Sequence, residues 1–293
     1  MQAKEINWQE FRCRASSLSD FMAESASART LTELQEKRLK ELDSIEARTI
    51  KQEADRMQLI EKKEKSREVV LSSGCLNVLM DYYSWVTTGK VPMSRELMYV
   101  KYIEKGKEIE SESITLKSIV EGIKYNKNEI EIYNDYLQGT PDIYVGEDGI
   151  YNATKISDIK SSWDYPGYLK KIHVPVPKSN VMQVQAYMDI SGATEGEISN
   201  CLVNTPDFLK MDAYNQLLRV VRPISEESPE FLVAWEIVER SLEFDDIPGS
   251  QRVYNKIIEP FTSYEKDKIY DKVKVCRDWL YKFHEEFTKN NTE

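Results

Sequence analysis

The chain has 293 residues, of which 41% are hydrophobic and 31% are charged, so it can bury a sizeable core and form one large domain, with or without an appendage. Its formal net charge of −10 argues against a protein that coats nucleic acid through bulk positive charge, and any DNA contact would need a local basic groove. The four cysteines lack CxxC spacing and no apolar run is long enough to span a membrane, so we expect a cytoplasmic protein with no membrane partner.

The segment from about residue 30 to residue 71 is rich in helix-forming residues and free of glycine and proline. Thr30 and Glu33 have the spacing of a capping box at its start. Its first half carries one narrow apolar stripe: Leu31, Leu34, Leu42 and Ile45. The pattern predicts an N-terminal helical arm or hairpin. Two interpretations stay open, namely an arm that guides DNA or joins subunits, and a solvated helix pair packed on its own domain.

The rest of the chain alternates between helix-like and strand-like patterns. Helices are predicted over residues 76–86, about 95–120, 180–190, 206–221, 229–242 and 264–287. Strands are predicted over residues 129–136, 142–145, 155–160, 197–203 and 253–258. The second and third of these strands should form an antiparallel hairpin through the turn at 146–149. This order predicts a single α/β domain spanning 1–293, with a small mixed sheet flanked by helices.

The most informative residues lie on that hairpin. Asp142 ends the sequence Gly-Thr-Pro-Asp, and Asp158-Ile159-Lys160 follows sixteen residues later. In a strand, side chains two apart share a face, so Asp158 and Lys160 should project together while Ile159 turns into the core. Carboxylate oxygens bind Mg²⁺, and a nearby ammonium suits an attacking water or a charged phosphorus centre. The pattern therefore predicts a metal-dependent site for phosphodiester cleavage.

Four motifs in this order resemble the PD-(D/E)XK nuclease superfamily, and within it the phage recombination exonucleases of the lambda type and their YqaJ-like viral relatives. The motifs are Gly106-Lys-Glu-Ile-Glu110, Gly139-Thr-Pro-Asp142, Asp158-Ile-Lys160 and Gln183-Val-Gln-Ala-Tyr187. The resemblance implies a restriction-endonuclease-like core.

The same resemblance implies roles for individual residues. Asp142 and Asp158 would bind one or two Mg²⁺ ions, for which Mn²⁺ would substitute, with help from the backbone carbonyl of Ile159. Glu110 would complete the metal site, in preference to its neighbours two residues away on other faces of the helix. Lys160 would act on the attacking water or the developing charge.

The remaining implied residues concern DNA. Gln183 would lie beside the metal site, and Tyr187, one helical turn later, shares its face and either contacts DNA or belongs to the core. Arg12 and Ser19 have the spacing of an arginine and a serine that bind a terminal 5′-phosphate in the lambda-type enzymes. Arg14 and the neighbouring serines are equally available for that role.

The resemblance implies a Mg²⁺-dependent exonuclease that resects double-stranded DNA ends from the 5′ end, works with a single-strand annealing protein and assembles as a ring-shaped trimer. Two alternatives stay open: an endonuclease or flap-cleaving nuclease with the same core, and a non-catalytic DNA-binding scaffold. The intact acidic residues argue against the scaffold, because converging carboxylates are costly next to phosphates.

Overall fold

The structure is a computed structural model that describes residues 6–24, 31, 33–45, 47–65, 71–90, 100–162, 164–223 and 225–290. It divides into two compact units. Unit 1 comprises Met1–Phe11, Ser19–Val91 and Lys268–Glu293, and unit 2 comprises Arg12–Leu18 and Pro92–Asp267. In the described part of the chain, every helix is too short or too polar to cross a lipid bilayer. The single nuclease domain inferred from the sequence stays a prediction.

The described residues form an α/β structure with helices on both faces of a mixed sheet. The helices are α1 (Leu18–Phe21), α2 (Glu33–Asp43), α3 (Ile50–Lys65), α4 (Ser73–Thr88), α5 (Val100–Glu121), α6 (Tyr165–His173), α7 (Lys178–Ser191), α8 (Asp207–Val221), α9 (Pro229–Arg240) and α10 (Ser263–Asn290). The strands are β1 (Cys13–Arg14), β2 (Asn126–Lys127), β3 (Ile132–Tyr133), β4 (Leu137–Gly139), β5 (Ile143–Val145), β6 (Lys155–Ser161), β7 (Glu195–Cys201) and β8 (Val253–Ile258).

The N-terminal helical segment in unit 1 is a hairpin of α2 and α3 with a small apolar core of its own. The predicted stripe is wrong at Leu34, which is 81% exposed. Leu42 is buried as predicted, and Leu39, which was not predicted, is buried with it; both pack with Leu59 of α3. Thr30, the first residue of the predicted capping box, lies outside the described residues.

Helix α4, also in unit 1, begins and ends at clear local signals. The Ser72 hydroxyl accepts a hydrogen bond from the Cys75 backbone N–H, which caps the first turn. Gly89 ends the helix with a φ of 69°, a left-handed conformation that favours glycine. The predicted helix over 76–86 is therefore confirmed, with a few more residues at each end.

The main sheet of unit 2 has the strand order β2-β5-β6-β7-β8. Its central pair, β6 and β7, is parallel, and the other neighbours are antiparallel. Helices α6 and α7 lie in the connection between the parallel strands, which is the crossover such a pair requires. The predicted hairpin of β5 and β6 is confirmed, although residues 146–154 join the strands and contain a turn of 3₁₀ helix instead of a four-residue turn.

The two faces of this sheet have separate cores. On one face, Ile159 of β6 packs with Tyr125, Ile143 and Cys201 and against Ile114 of α5. The opposite face carries a second core: Val184 and Met188 of α7 with Ile198 and Ile258 of the sheet. Because side chains alternate along a strand, Asp158 and Lys160 lie on the α7 face while Ile159 lies on the α5 face. The predicted inward orientation of Ile159 is confirmed.

A buried charge network holds α5 on its face of the sheet. The Lys117 side chain is fully buried, pairs with Glu121 and lies 2.7 Å from Glu197 of β7. Glu197 also pairs with Lys155 at 2.7 Å. Burial by itself raises the pKa of Glu121, but hydrogen bonds from Lys117, Tyr125 and other donors outweigh it and the pKa is lowered. Loss of Lys117 would leave the half-buried Glu121 carboxylate without its cation, so this network constrains the position of α5.

The predicted continuous strand over 129–136 is wrong. Only Ile132 and Tyr133 form β3, and the chain then turns into β4. The turn forms because the Asn134 side chain accepts hydrogen bonds from the backbone N–H groups of Tyr136 and Leu137. Together with β1, which pairs in parallel with β4, these strands make a second sheet with the order β1-β4-β3.

Most other predicted elements are confirmed with shifted ends. The strand expected at 197–203 is β7 and begins two residues earlier, and β8 occupies 253–258 as expected. Helices α7, α8, α9 and α10 match their predictions to within three residues at each end. The predicted start of α5 near residue 95 lies outside the described residues. Helix α6 was not predicted.

Candidate active site

The pairing of β5 and β6 brings two carboxylates together. Ile143 lies opposite Ser157 in this antiparallel ladder, so the next step of the same register places Asp142 opposite Asp158. Asp142 immediately precedes β5, and its Oδ2 accepts a hydrogen bond from the Ile159 backbone N–H at 2.7 Å. Its backbone carbonyl accepts from the Asn128 N–H at 2.9 Å. Asp142 is thereby fixed between two neighbouring chain segments.

Both carboxylates are electrostatically costly in their ionised form. Burial, followed by the charge of Asp158, raises the pKa of Asp142 to about 7, against the lowering effect of the Ile159 N–H and Lys160. Asp158 is only 1% exposed, and burial also raises its pKa. A pair of buried carboxylates of this kind favours a bound cation over two free negative charges.

Lys160 supplies a positive charge at the same place. Its Nζ lies 2.8 Å from Asp158 Oδ2, and its side chain is 33% exposed. Asp158 Oδ2 nevertheless accepts no hydrogen bond of acceptable geometry within the described residues. The contact is better treated as an ion pair than as a directed bond. Burial alone lowers the pKa of Lys160, but Asp158 and Asp142 outweigh this effect and the pKa is raised.

Glu110 lies on the α5 side of the same region. Its negative charge contributes to the raised pKa of Asp142, after burial and the larger effect of Asp158. Its Oε1 is 3.3 Å from Lys127 Nζ on β2, the strand paired with β5. Glu112, one of the two alternatives on this helix, is exposed, and the side chain of Glu108 is outside the described part of the chain. Of the two whose side chains the structure describes, Glu110 is the one whose charge acts on the Asp142 carboxylate.

The donor set decides which metal could bind here. Among the described residues, no group of three or more His, Cys, Asp and Glu side chains is gathered closely enough to hold an ion. The two carboxylates form a partial, all-oxygen set, and one carboxylate oxygen is buried without a hydrogen bond in the described part of the chain. A contribution from the Ile159 carbonyl stays a prediction. Such a set fits Mg²⁺, which is usually bound by one or two carboxylates and keeps several waters. A direct bond from Glu110 to the ion stays a prediction.

Gln183 and Tyr187 lie on α7, the helix that covers the Asp158 face of the sheet. Gln183 Nε2 donates a hydrogen bond to the Tyr187 hydroxyl at 2.8 Å. Tyr187 is 4% exposed, so it occupies a core position. Burial raises its pKa, and both Asp158 and Asp142 add to that increase, so the hydroxyl lies within electrostatic reach of the carboxylate pair. A direct contact of Tyr187 with DNA stays a prediction.

The two residues expected to bind a terminal phosphate have different surroundings. Arg12 Nε donates a hydrogen bond to the Asn134 carbonyl at 2.8 Å, and its guanidinium carbon lies 4.5 Å from the centre of the Tyr133 ring. Ser19 lies in α1, in unit 1, whereas Arg12 belongs to unit 2. Their shared role at a 5′-phosphate stays a prediction.

Two lysines beside the site were not singled out in the sequence. Lys127 pairs with Glu110, and Lys171 of α6 donates a hydrogen bond to the Ser161 carbonyl at 2.7 Å. Burial, together with the positive charge of Lys160, lowers the pKa of Lys171. The adjacent lysines Lys170 and Lys171 were the signal in the sequence that could have indicated positive charge here, but α6 itself was not predicted.

No protein-family model matches the sequence, and none of the curated proteins matches it significantly. Solved structures, in contrast, do match the fold of this chain. The chain is similar to the crystal structure of a phage-related exonuclease from Haemophilus somnus 129PT, with 19% identity, a TM-score of 0.55 and coverage of 95% of this chain and 97% of that one. It is also similar to an alkaline exonuclease from Laribacter hongkongensis, with 13% identity, a TM-score of 0.51 and coverage of 97% of both chains. The structure of the latter in complex with dAMP gives 14% identity, a TM-score of 0.50 and coverage of 97% of this chain and 95% of that one. The chain therefore has the α/β fold that these exonuclease structures share.

Proposed function

We propose that this protein is a Mg²⁺-dependent deoxyribonuclease that degrades double-stranded DNA from its ends. The observation that carries the proposal is the carboxylate pair: Asp142 accepts a hydrogen bond from the Ile159 N–H, and Asp158 pairs with Lys160. A purely structural site has no reason to keep two carboxylates whose ionised forms are disfavoured by burial and by each other.

Each residue of the site has a defined task in this proposal. The cation would be held by Asp142, Asp158 and the Ile159 carbonyl. Glu110 would complete the metal site, either as a direct ligand or through a bound water. When bound, Mg²⁺ would supply the charge that activates water and neutralises the phosphate. Because the pKa of Lys160 is raised, this residue stays protonated near neutral pH and would offset negative charge that develops on the phosphate.

Gln183 and Tyr187 would shape the α7 side of the pocket. The Gln183 amide donates to the Tyr187 hydroxyl, which leaves the amide oxygen of Gln183 available to orient a water or a hydroxyl group. Tyr187 is buried and would fix the orientation of Gln183.

The choice of an exonuclease is supported by the resemblance of the motifs and by the fold shared with two exonuclease structures. The same resemblance supports digestion from a 5′ end during phage-type recombination, a single-strand annealing protein as partner, a trimer as the assembly and the host cytoplasm as the location. An endonuclease or flap-cleaving nuclease is the second candidate, because a carboxylate pair and a lysine do not distinguish a terminal from an internal phosphodiester bond.

The test uses linear, nicked and covalently closed circular duplex DNA with purified protein and Mg²⁺. We expect progressive loss of linear DNA from its ends while closed circles survive, and Mn²⁺ should replace Mg²⁺. Rapid cutting of closed circles would favour the endonuclease. Absence of cleavage with every substrate and both ions would contradict the proposal.

A further inference from the structure

Arg14 lies on a strand that pairs with the chain segment leading to Asp142. It is the second residue of β1, which pairs in parallel with β4, and its partner in the register is Gln138. Gln138 precedes Asp142 by four residues. A short parallel pairing therefore brings an N-terminal arginine next to the segment that delivers Asp142 to the site.

The packing around Gly139 strengthens this link. A Cβ atom at Gly139 would lie 2.6 Å from Tyr187 Cε1 and 3.1 Å from the Cβ of Ala15. The Tyr187 ring thus packs directly against β4, beside the residue that follows Arg14. Burial is the main cause of the raised pKa of Tyr187, Asp158 and Asp142 add to it, and the positive charge of Arg14 opposes it. Arg14 and both carboxylates therefore act on the same hydroxyl group.

The side chain of Arg14 is free to exchange its present partner. Its Nη2 lies 3.0 Å from Glu131 Oε1, and the two side chains are 60% and 46% exposed. An exposed pair of this kind contributes little to stability, so it is easily exchanged. Arg12 differs, because its Nε is held by the Asn134 carbonyl and its guanidinium covers the Tyr133 ring.

We propose that Arg14 binds a backbone phosphate of the DNA strand that enters the carboxylate pocket, and that it exchanges the Glu131 carboxylate for this phosphate. The inference rests on the proposed function and identifies a substrate contact for the same site. A guanidinium matches phosphate as it matches carboxylate, with two parallel N–H donors. A chain with a net charge of −10 needs such local cations to hold DNA.

The experiment measures duplex binding by fluorescence anisotropy without divalent cations, over a range of salt concentrations. Arg14→Ala should weaken binding roughly tenfold at low salt, the loss expected for one charge-assisted contact. It should also reduce the slope of log affinity against log salt by about 1, since one phosphate contact is lost. Glu131→Gln should strengthen binding, because it removes the competing carboxylate.

Lys274→Ala is the matched control. Lys274 forms an exposed pair with Asp271 at 2.9 Å on α10, with side chains 55% and 71% exposed. We expect this variant to bind DNA like the wild type. An equal loss of affinity in both variants would show that only the overall charge matters and would overturn the inference, as would unchanged binding in Arg14→Ala. The proposed function fails separately, through absence of cleavage by the wild-type protein, because this binding measurement requires no catalysis.

Discussion

The carboxylate pair predicts that Asp142→Asn makes the metal-free protein more stable. The substitution keeps the size of the side chain and an oxygen that can accept the hydrogen bond from the Ile159 N–H, which the aspartate now accepts at 2.7 Å. It removes a negative charge that burial and Asp158 both disfavour. The change therefore isolates the electrostatic cost of the site from its packing.

The magnitude follows from the pKa of Asp142, which rises from 3.8 to about 7 in the folded protein. A shift of roughly 3 units corresponds to an upper limit of about 4 kcal/mol. We expect about 2 kcal/mol, because the side chain is partly exposed and solvent screens its charge. Between these two pKa values the folded state holds a proton that the unfolded state has lost, so stability falls as the pH rises from about 4 to 7. The full cost is present above pH 7.

The assay is thermal unfolding in EDTA at pH 8 and at pH 5.5. At pH 8, Asp142→Asn should raise the melting temperature by roughly 3 °C for a chain of this size. At pH 5.5 the difference should shrink by about half. Asp148→Asn, an exposed aspartate in the connection between β5 and β6, is the matched control and should change little. A variant less stable than the wild type at pH 8, or a gain independent of pH, would refute the electrostatic reasoning.

Three further predictions concern separate parts of the site. Lys160→Ala should keep Mg²⁺ binding in calorimetric titrations but lower single-turnover cleavage by roughly 10²-fold or more, and unchanged cleavage would make the lysine a bystander. Gly139→Ala should destabilise the protein by about 1–3 kcal/mol in denaturant titrations, because the added Cβ would lie 2.6 Å from the Tyr187 ring; wild-type stability would contradict that packing. Arg12→Ala should slow digestion of 5′-phosphorylated ends more than 5′-hydroxyl ends, and equal rates for both ends would remove Arg12 from the phosphate site.

The centre of the site could be predicted because its determinants are local. Asp158 and Lys160 share a face through strand alternation, and the short connection after β5 fixes their pairing with Asp142. The α7 helix has a clear pattern and is capped by Gly192 with a φ of 78°. These features depend on sequence separations of fewer than about 20 residues, within which spacing and turn residues constrain geometry.

Long-range pairings could not be predicted in the same way. Strand β1 has two residues, and its partner β4 lies more than 120 positions later. The alternating pattern at 129–136 suggested one strand because the side-chain hydrogen bonds of Asn134 that turn the chain there are invisible in hydrophobic periodicity. The surroundings of Arg12 and Arg14 depend on these same strands, so the sequence alone left the two arginines equivalent.

Helix α6 and the buried network show a different limit. Asp164 caps α6 by accepting a hydrogen bond from the Gly167 N–H. Pro166 and Gly167 in the first turn have low helix propensity, so propensity alone does not predict this helix. Lys117 has the sequence appearance of a surface lysine on α5, yet its side chain is fully buried beside Glu197. Only the register of the sheet shows that the Glu197 carboxylate on β7 faces this lysine.

The central claim is that Asp158 and Asp142 form a metal-dependent site for DNA cleavage. The most direct measurement compares the wild type with Asp158→Asn, and with Asp148→Asn as the matched control, in single-turnover cleavage of linear 5′-phosphorylated duplex with Mg²⁺ and with EDTA. Metal-dependent cleavage by the wild type and the control, together with its loss in Asp158→Asn and retention of DNA binding, is the predicted result. Cleavage by Asp158→Asn at the wild-type rate would contradict the claim.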